Sequence, residues 1–126
     1  MNNFKVLGIT LVLSFALLYL HIQGMASHLY MNYWFYDIIL HFLGGVCVSL
    51  ALFCIAKLFK ISFILNNLWL LILSTFVIGF GWELFELAYG ISGHDFGTRE
   101  YNIDTVKDLI MDTLGGSLAL YFYKNK

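Results

Sequence analysis

Charge is the scarcest resource of this chain. Seven Lys and Arg and eight Asp and Glu make up 12% of 126 residues, about half the share of a typical soluble domain. With 60% hydrophobic residues and a mean hydropathy of +0.80, there is too little polar material to cover a water-facing surface. Proline is absent, so nothing forces a kink or break in a helix. The only cysteines, Cys47 and Cys54, stand seven residues apart, about 10 Å of helix rise, whereas a disulfide needs Cα atoms within about 7 Å. They read as small buried thiols. The net charge of −1 excludes a nucleic-acid binder with a basic patch, and the composition equally excludes a disordered segment, a coiled coil and a secreted disulfide scaffold. No Walker loop, dinucleotide fingerprint, HExxH or CxxC occurs, and Ser/His/Asp catalysis has no specific support.

What is present is apolar length. The expected fold is an all-α membrane protein, a single transmembrane domain over 1–126 with four transmembrane helices in a small bundle. The helices fall at about 4–22, 38–56, 68–89 and 105–123, each near the 20 residues a span needs. Outer loops cover 23–37 and 91–103. The fourth helix is the least pure, because Lys107, Asp108 and Asp112 occupy its first turns. Small residues Gly44, Gly45 and Ser49, Gly79 and Gly81, and Gly115, Gly116 and Ala119 predict close packing of helices two, three and four.

Lys and Arg in short loops favour the cytoplasmic side. Lys5, Lys57, Lys60, Lys124 and Lys126 fall on one side, Arg99 and Lys107 on the other, which predicts N-in, C-in. Tyr30, Tyr33, Trp34 and Tyr36 then lie at the outer interface, and Trp69 with Tyr121–Tyr123 at the inner one. The segment 23–36 reads as a loop or short interfacial helix. Lys5, an apolar core and the small residues Gly24 and Ala26 also fit a cleavable signal. Against that, the apolar stretch is long for a signal core, and cleavage would leave Asp37 near a free end.

In this frame all eight acidic residues lie at the outer end or in the outer half. The net charge of −1 divides into +5 on one side and −6 on the other. Asp37 and His41 are four apart, Glu83 and Glu86 three apart, and Asp104, Asp108 and Asp112 form an i, i+4, i+8 stripe; each spacing places its side chains on one helix face. Charged side chains on the lipid face are costly, so these groups are expected to converge on an inward pocket, relieved by His41, Lys107, Arg99 or a bound cation. Local roles compete with that pocket. Asp37 fits a helix N-cap, Thr105 and Asp108 fit a capping box, Asp104 fits a helix start, His41 a satisfied interior histidine, and Glu86 a residue facing the headgroups. Glu83 and Asp112 lie too far inside their helices to be caps. The polar loop ISGHDFGTREYNI suspends His94, Asp95, Arg99 and Glu100 over the pocket, with Arg99 able to receive an anionic headgroup or simply to be solvated.

The run YDIILHFLGG at 36–45, WELFEL at 82–87 and DTVKDLIMDTLGG at 104–116 resembles the YjdF-type bacterial inner-membrane proteins and, more loosely, the VanZ-like family. The resemblance makes Asp37, His41, Glu83, Glu86, Asp104 and Asp108 motif positions and implies a multi-pass protein of the bacterial cytoplasmic membrane; it implies no reaction. Two functions follow from the residues. In a metal-dependent enzyme acting on a lipid or lipid-linked substrate, Asp37, His41, Glu83 and Asp108 are candidate ligands of a divalent cation, Mg²⁺, Mn²⁺ or Zn²⁺. Glu86, Asp104 and Asp112 are then candidate acid/base groups, and Arg99 and Lys107 candidate substrate contacts. The alternative is a non-enzymatic membrane scaffold binding a cation, proton or lipid, with membrane lipids, further copies of the chain or another membrane protein as partners. Below His41 and Glu83, the polar residues Ser49, Ser74, Thr75 and Ser117 do not make a complete transport path. Glu-x-x-His pairs of a di-iron bundle are absent.

Overall fold

The computed structural model describes residues 3–91 and 93–124; Lys126, counted above toward the basic side, and Ser92 of the polar loop lie outside them. The described residues form six helices and no strand: α1 (Asn3–Ala26), α2 (Leu29–Asn32), α3 (Trp34–Leu58), α4 (Ser62–Leu65), α5 (Leu68–Tyr89) and α6 (Arg99–Lys124). The third apolar helix matches its expected bounds, while the others outgrow theirs. The expected loop over 23–37 is largely helix, because α1 runs to Ala26 and α3 starts at Trp34, leaving room for the single turn α2. The loop over 91–103 shortens because Thr98 starts α6 early. Its hydroxyl accepts from the Tyr101 N–H at 3.3 Å and donates to the Asp95 carbonyl at 2.7 Å.

Three helices, Phe4–Ala26, Trp34–Leu58 and Leu68–Tyr89, are long and apolar enough to cross a membrane, rather than the four expected. The fourth, α6, has the length at 26 residues but carries Arg99, Glu100, Asp104, Lys107, Asp108 and Asp112 in its first half. Helix ends follow backbone logic. At Gly90 (φ 66°) the N–H groups of Gly90 and Ile91 return to the carbonyls of Leu87 and Glu86, a Schellman close. Lys60 (φ 53°) closes α3 in the same way, with Lys60 and Ile61 bonded to Lys57 and Ala56.

The central element is α3, which packs on α1, α5 and, most extensively, α6. Glycine permits the last contact. A Cβ on Gly45 would overlap the backbone carbonyl of Asp112, one on Gly115 the carbonyl of Phe42, and one on Gly116 the Ser49 hydroxyl. The two backbones therefore lie directly on each other, as small-residue interfaces allow. Gly81, expected in the same interface, has nothing within 4 Å of its would-be Cβ. Beneath this interface Ser49 Oγ and Thr75 Oγ1 pair at 2.7 Å, both fully buried. At the far end Phe53, Leu71 and Leu120 form an apolar core, closed by a hydrogen bond from Lys57 Nζ to the Tyr123 hydroxyl at 3.0 Å. The outward faces are apolar, with Phe15, Leu58 and Trp69 among many exposed side chains, as a lipid-facing surface requires. Among the described residues α1 and α5 do not pack backbone to backbone, and a cleft separates them.

Candidate functional site

The site assembles at the end of the bundle where α3 and α6 begin and α5 ends. Asp37 lies in the first turn of α3, but the N-cap position belongs to Tyr33, whose side chain makes no cap bond. Asp37 is therefore not a cap. Instead Asp37 Oδ1 stands 3.5 Å from Nε2 of His41, one turn on. The same Nε2 is 3.9 Å from Glu83 Oε1 on α5 and 3.9 Å from Asp108 Oδ2 on α6. On the other side of the ring, His41 Nδ1 lies 3.4 Å from the Asp112 carboxylate. One imidazole thus stands among four carboxylates drawn from three helices. Thr105 and Asp108 lie inside α6, so no capping box forms there; the Thr105 hydroxyl contacts Glu83 instead. Gly44 and Gly79 make room for Asp112: its Oδ1 lies 3.7 Å from the would-be Cβ of Gly44 and its Oδ2 2.5 Å from that of Gly79.

Burial is deep. His41 is 7% exposed, Glu83 4%, Asp108 2% and Asp112 7%, and among the described residues neither Glu83 Oε1 nor Asp108 Oδ1 has a hydrogen-bond partner. An unsatisfied buried polar atom costs about 1–3 kcal/mol, more when charged. Lys107 supplies the nearest cationic counter-charge. Its Nζ is paired with Asp104 and lies 4.0 Å from Asp37 and 3.8 Å from Asp108. A cation fits the remaining deficit. Ligand atoms of Asp37, His41 and Asp108 lie within 4.8 Å of one another, as do those of His41, Glu83 and Glu86. Donors facing each other across a cation at 2.0–2.6 Å are separated by about 4–5 Å.

The other expected site residues divide. Glu86 does not face the headgroups: Oε1 accepts from Trp82 Nε1 at 2.9 Å, and the side chain lines the cleft. Asp104 is held by Lys107 and does not act at the start of α6. Lys107 serves as counter-ion to three carboxylates. Arg99 lines a shallow groove along α6 with Asn102, Val106, Lys107 and Ile110, so that Lys107 stands between this groove and the cluster. Asp95 and Glu100 are exposed.

Behind the cluster the cleft between α1 and α5 encloses roughly 400 Å³. Asp37, His41, Glu86 and Asp112 line its polar end, and Leu17, Leu18, Leu40, Val48, Ala51 and Ile78 contribute its apolar walls. Three residues that the sequence did not assign to the pocket, His21, Tyr30 and Trp82, stand at its polar end; Tyr30 was expected only at the outer interface and Trp82 only as part of a motif. His21 Nδ1 and the Tyr30 hydroxyl are 2.7 Å apart, and the His21 and Trp82 rings meet edge to face at 5.9 Å. Burial, with Asp37, Tyr36 and Glu86 nearby, pushes the Tyr30 phenol above its ordinary value, so Tyr30 keeps its proton. An imidazole near the end of a mostly apolar helix was the available signal for His21.

The fold and site together define a helical membrane protein with a buried carboxylate–histidine cluster at one end of an apolar cleft. The chain belongs to the family described as "Predicted membrane protein (DUF2238)", which matches residues 1–125. No curated protein and no solved structure matches it.

Proposed function

We propose that this protein holds a divalent cation in the His41 cluster and uses it on a lipid or lipid-linked substrate at the outer leaflet of the bacterial cytoplasmic membrane. The observation that carries the reading is the pair of buried carboxylate oxygens, Glu83 Oε1 and Asp108 Oδ1, left without donors beside His41 and Lys107. Asp37, His41, Glu83 and Asp108 are the ligands in this reading, and the mixture of imidazole and carboxylate suits Zn²⁺ or Mn²⁺ better than Mg²⁺. Asp112, on the far ring nitrogen, orients His41, as carboxylates do behind metal-bound histidines. Glu86, in the cleft, is the acid/base candidate. The cation would polarise a carbonyl oxygen or activate water. The basic-residue count supports an orientation with the N-terminus inside and the cluster at the outer face, and on α6 Asp104, Lys107, Asp108 and Asp112 are drawn into the contacts with α3 and α5 rather than left facing outward. The resemblance of the 36–45, 82–87 and 104–116 runs to YjdF-type proteins favours a bacterial membrane.

A non-catalytic scaffold is favoured by one observation: Lys107 already bridges Asp37, Asp104 and Asp108. Metal analysis separates the two. The protein is purified in detergent, stripped with chelator and reloaded with Zn²⁺ or Mn²⁺. About one ion per chain is expected, lost in Glu83→Gln and Asp108→Asn while both variants remain folded by size-exclusion chromatography. No retained ion, together with variants that melt higher than the parent because repulsion is relieved, would reject the reading. Mass spectrometry of a lipid extract incubated with the loaded protein then tests for turnover.

A further inference from the structure

The cleft runs along α3 from Asp37 to Ala51, fourteen residues or about 21 Å of helix. Its volume of roughly 400 Å³ lies within the range of small-molecule sites. The lining is graded. Carboxylates and aromatic rings gather at one end, and below His41 the walls are mostly apolar side chains of α1, α3 and α5. A site with a charged end and an apolar run, between two apolar membrane helices, matches an amphiphile lying along the bilayer normal rather than a water-soluble ligand.

The head is identified by charge and by the rings. Six carboxylates (Asp37, Glu83, Glu86, Asp104, Asp108 and Asp112) face Lys107 and His41. Even a bound divalent cation leaves the cluster formally negative, which repels a phosphate head. Tyr30, His21 and Trp82 surround the same end, and ring faces attract ammonium groups. Two of the lining groups, His41 and Asp112, are more than nine-tenths buried, and Glu83 directs an unpartnered oxygen at His41 from behind.

We infer that the cleft binds a single-chain amphiphile with a protonated or quaternary amine head. The head rests between Glu86, Asp37 and the Tyr30 and Trp82 rings, and the chain runs between α1 and α5 past Leu17, Leu18 and Ile78. The inference rests on the site proposed above and names the class of molecule it receives.

The test uses three photoactivatable probes of equal chain length, carrying a trimethylammonium, a hydroxyl or a phosphate head, on the detergent-purified full chain. The ammonium probe is expected to label α1 and α5 residues of the cleft roughly tenfold more than the other two, a preference of about 1.4 kcal/mol. Ala51→Phe and, independently, Ser14→Trp fill the apolar run without touching a carboxylate and are expected to cut labelling at least about fivefold at unchanged metal content. Glu86→Gln is expected to narrow the preference for the ammonium head. Equal labelling by all three heads, or undiminished labelling in whichever filled variant folds, would overturn the inference. In the parent protein, metal bound without preferential ammonium labelling of the cleft rejects this inference alone; preferential labelling in a parent protein that holds no metal rejects the cation reading alone.

Discussion

At the scale of single residues, the cluster is a balance that few substitutions leave intact. Removing Lys107 as Lys107→Met strips Asp37, Asp104 and Asp108 of their nearest cation. Breaking a fully buried pair costs about 3–5 kcal/mol; Lys107 is 30% exposed, so a loss of about 2 kcal/mol is expected in detergent unfolding, after solvent screening. An increase in stability would show that the carboxylates do not depend on it. Lys60 is the reverse case. It holds a left-handed φ of 53° that suits glycine, and Lys60→Gly is expected to stabilise the chain by about 0.5–1 kcal/mol, read as a rise of a few degrees in the melting curve. Much of the cluster was legible from i, i+4 spacing and the cost of exposing charge to lipid, which together brought Asp37, His41, Glu83, Asp108 and Asp112 to one place. Lys107 was expected among the relieving charges, but its reach to Asp37 on α3 was not legible, because a long side chain crosses there to another helix and no spacing encodes that geometry. Arg99 was read as part of a loop, but Thr98 starts a helix that carries it, and it lines a groove along α6 beside Lys107.

At the scale of elements, the α3–α6 contact carries the site. Its prediction is a contrast between two glycines. Gly45→Ala places a methyl group against the Asp112 backbone and forces the helices apart, for an expected loss of about 2–3 kcal/mol together with metal binding. Gly81→Ala enters open space and is expected to stay within about 0.5 kcal/mol of the parent. Equal effects in a denaturation series would mean that the helices do not meet at Gly45. The Ser49–Thr75 pair links α3 to α5 below the cluster; a double-mutant cycle with Ser49→Ala and Thr75→Val is expected to give about 0.6 kcal/mol of coupling, the usual size for a hydrogen bond between membrane helices. Small residues announced this interface in the sequence. The cleft was not announced, since it arises from the failure of α1 and α5 to meet, a property of two helices that neither sequence holds alone.

At the scale of the whole molecule, orientation is the expectation with the plainest test. In a background carrying Cys47→Ser and Cys54→Ser, single cysteines at two exposed positions, Glu100→Cys before the cluster and Asn66→Cys at the opposite end, are exposed to a membrane-impermeant thiol reagent on intact cells. Labelling of the Glu100 position alone is expected; labelling of the Asn66 position alone would invert the molecule and place the cluster on the cytoplasmic side. Apolar length predicted the overall plan of a helical bundle well, because a bilayer leaves few alternatives to helices whose backbone bonds close internally. The order of the helices adds a consequence for biosynthesis. Asp37 and His41 enter the membrane on α3, whereas Asp108, Asp112 and the balancing Lys107 all arrive on α6. A chain in which only α1, α3 and α5 have formed therefore holds Asp37, His41 and Glu83 without their α6 partners, and the cluster is completed only when the last helix seats against Gly45 of α3.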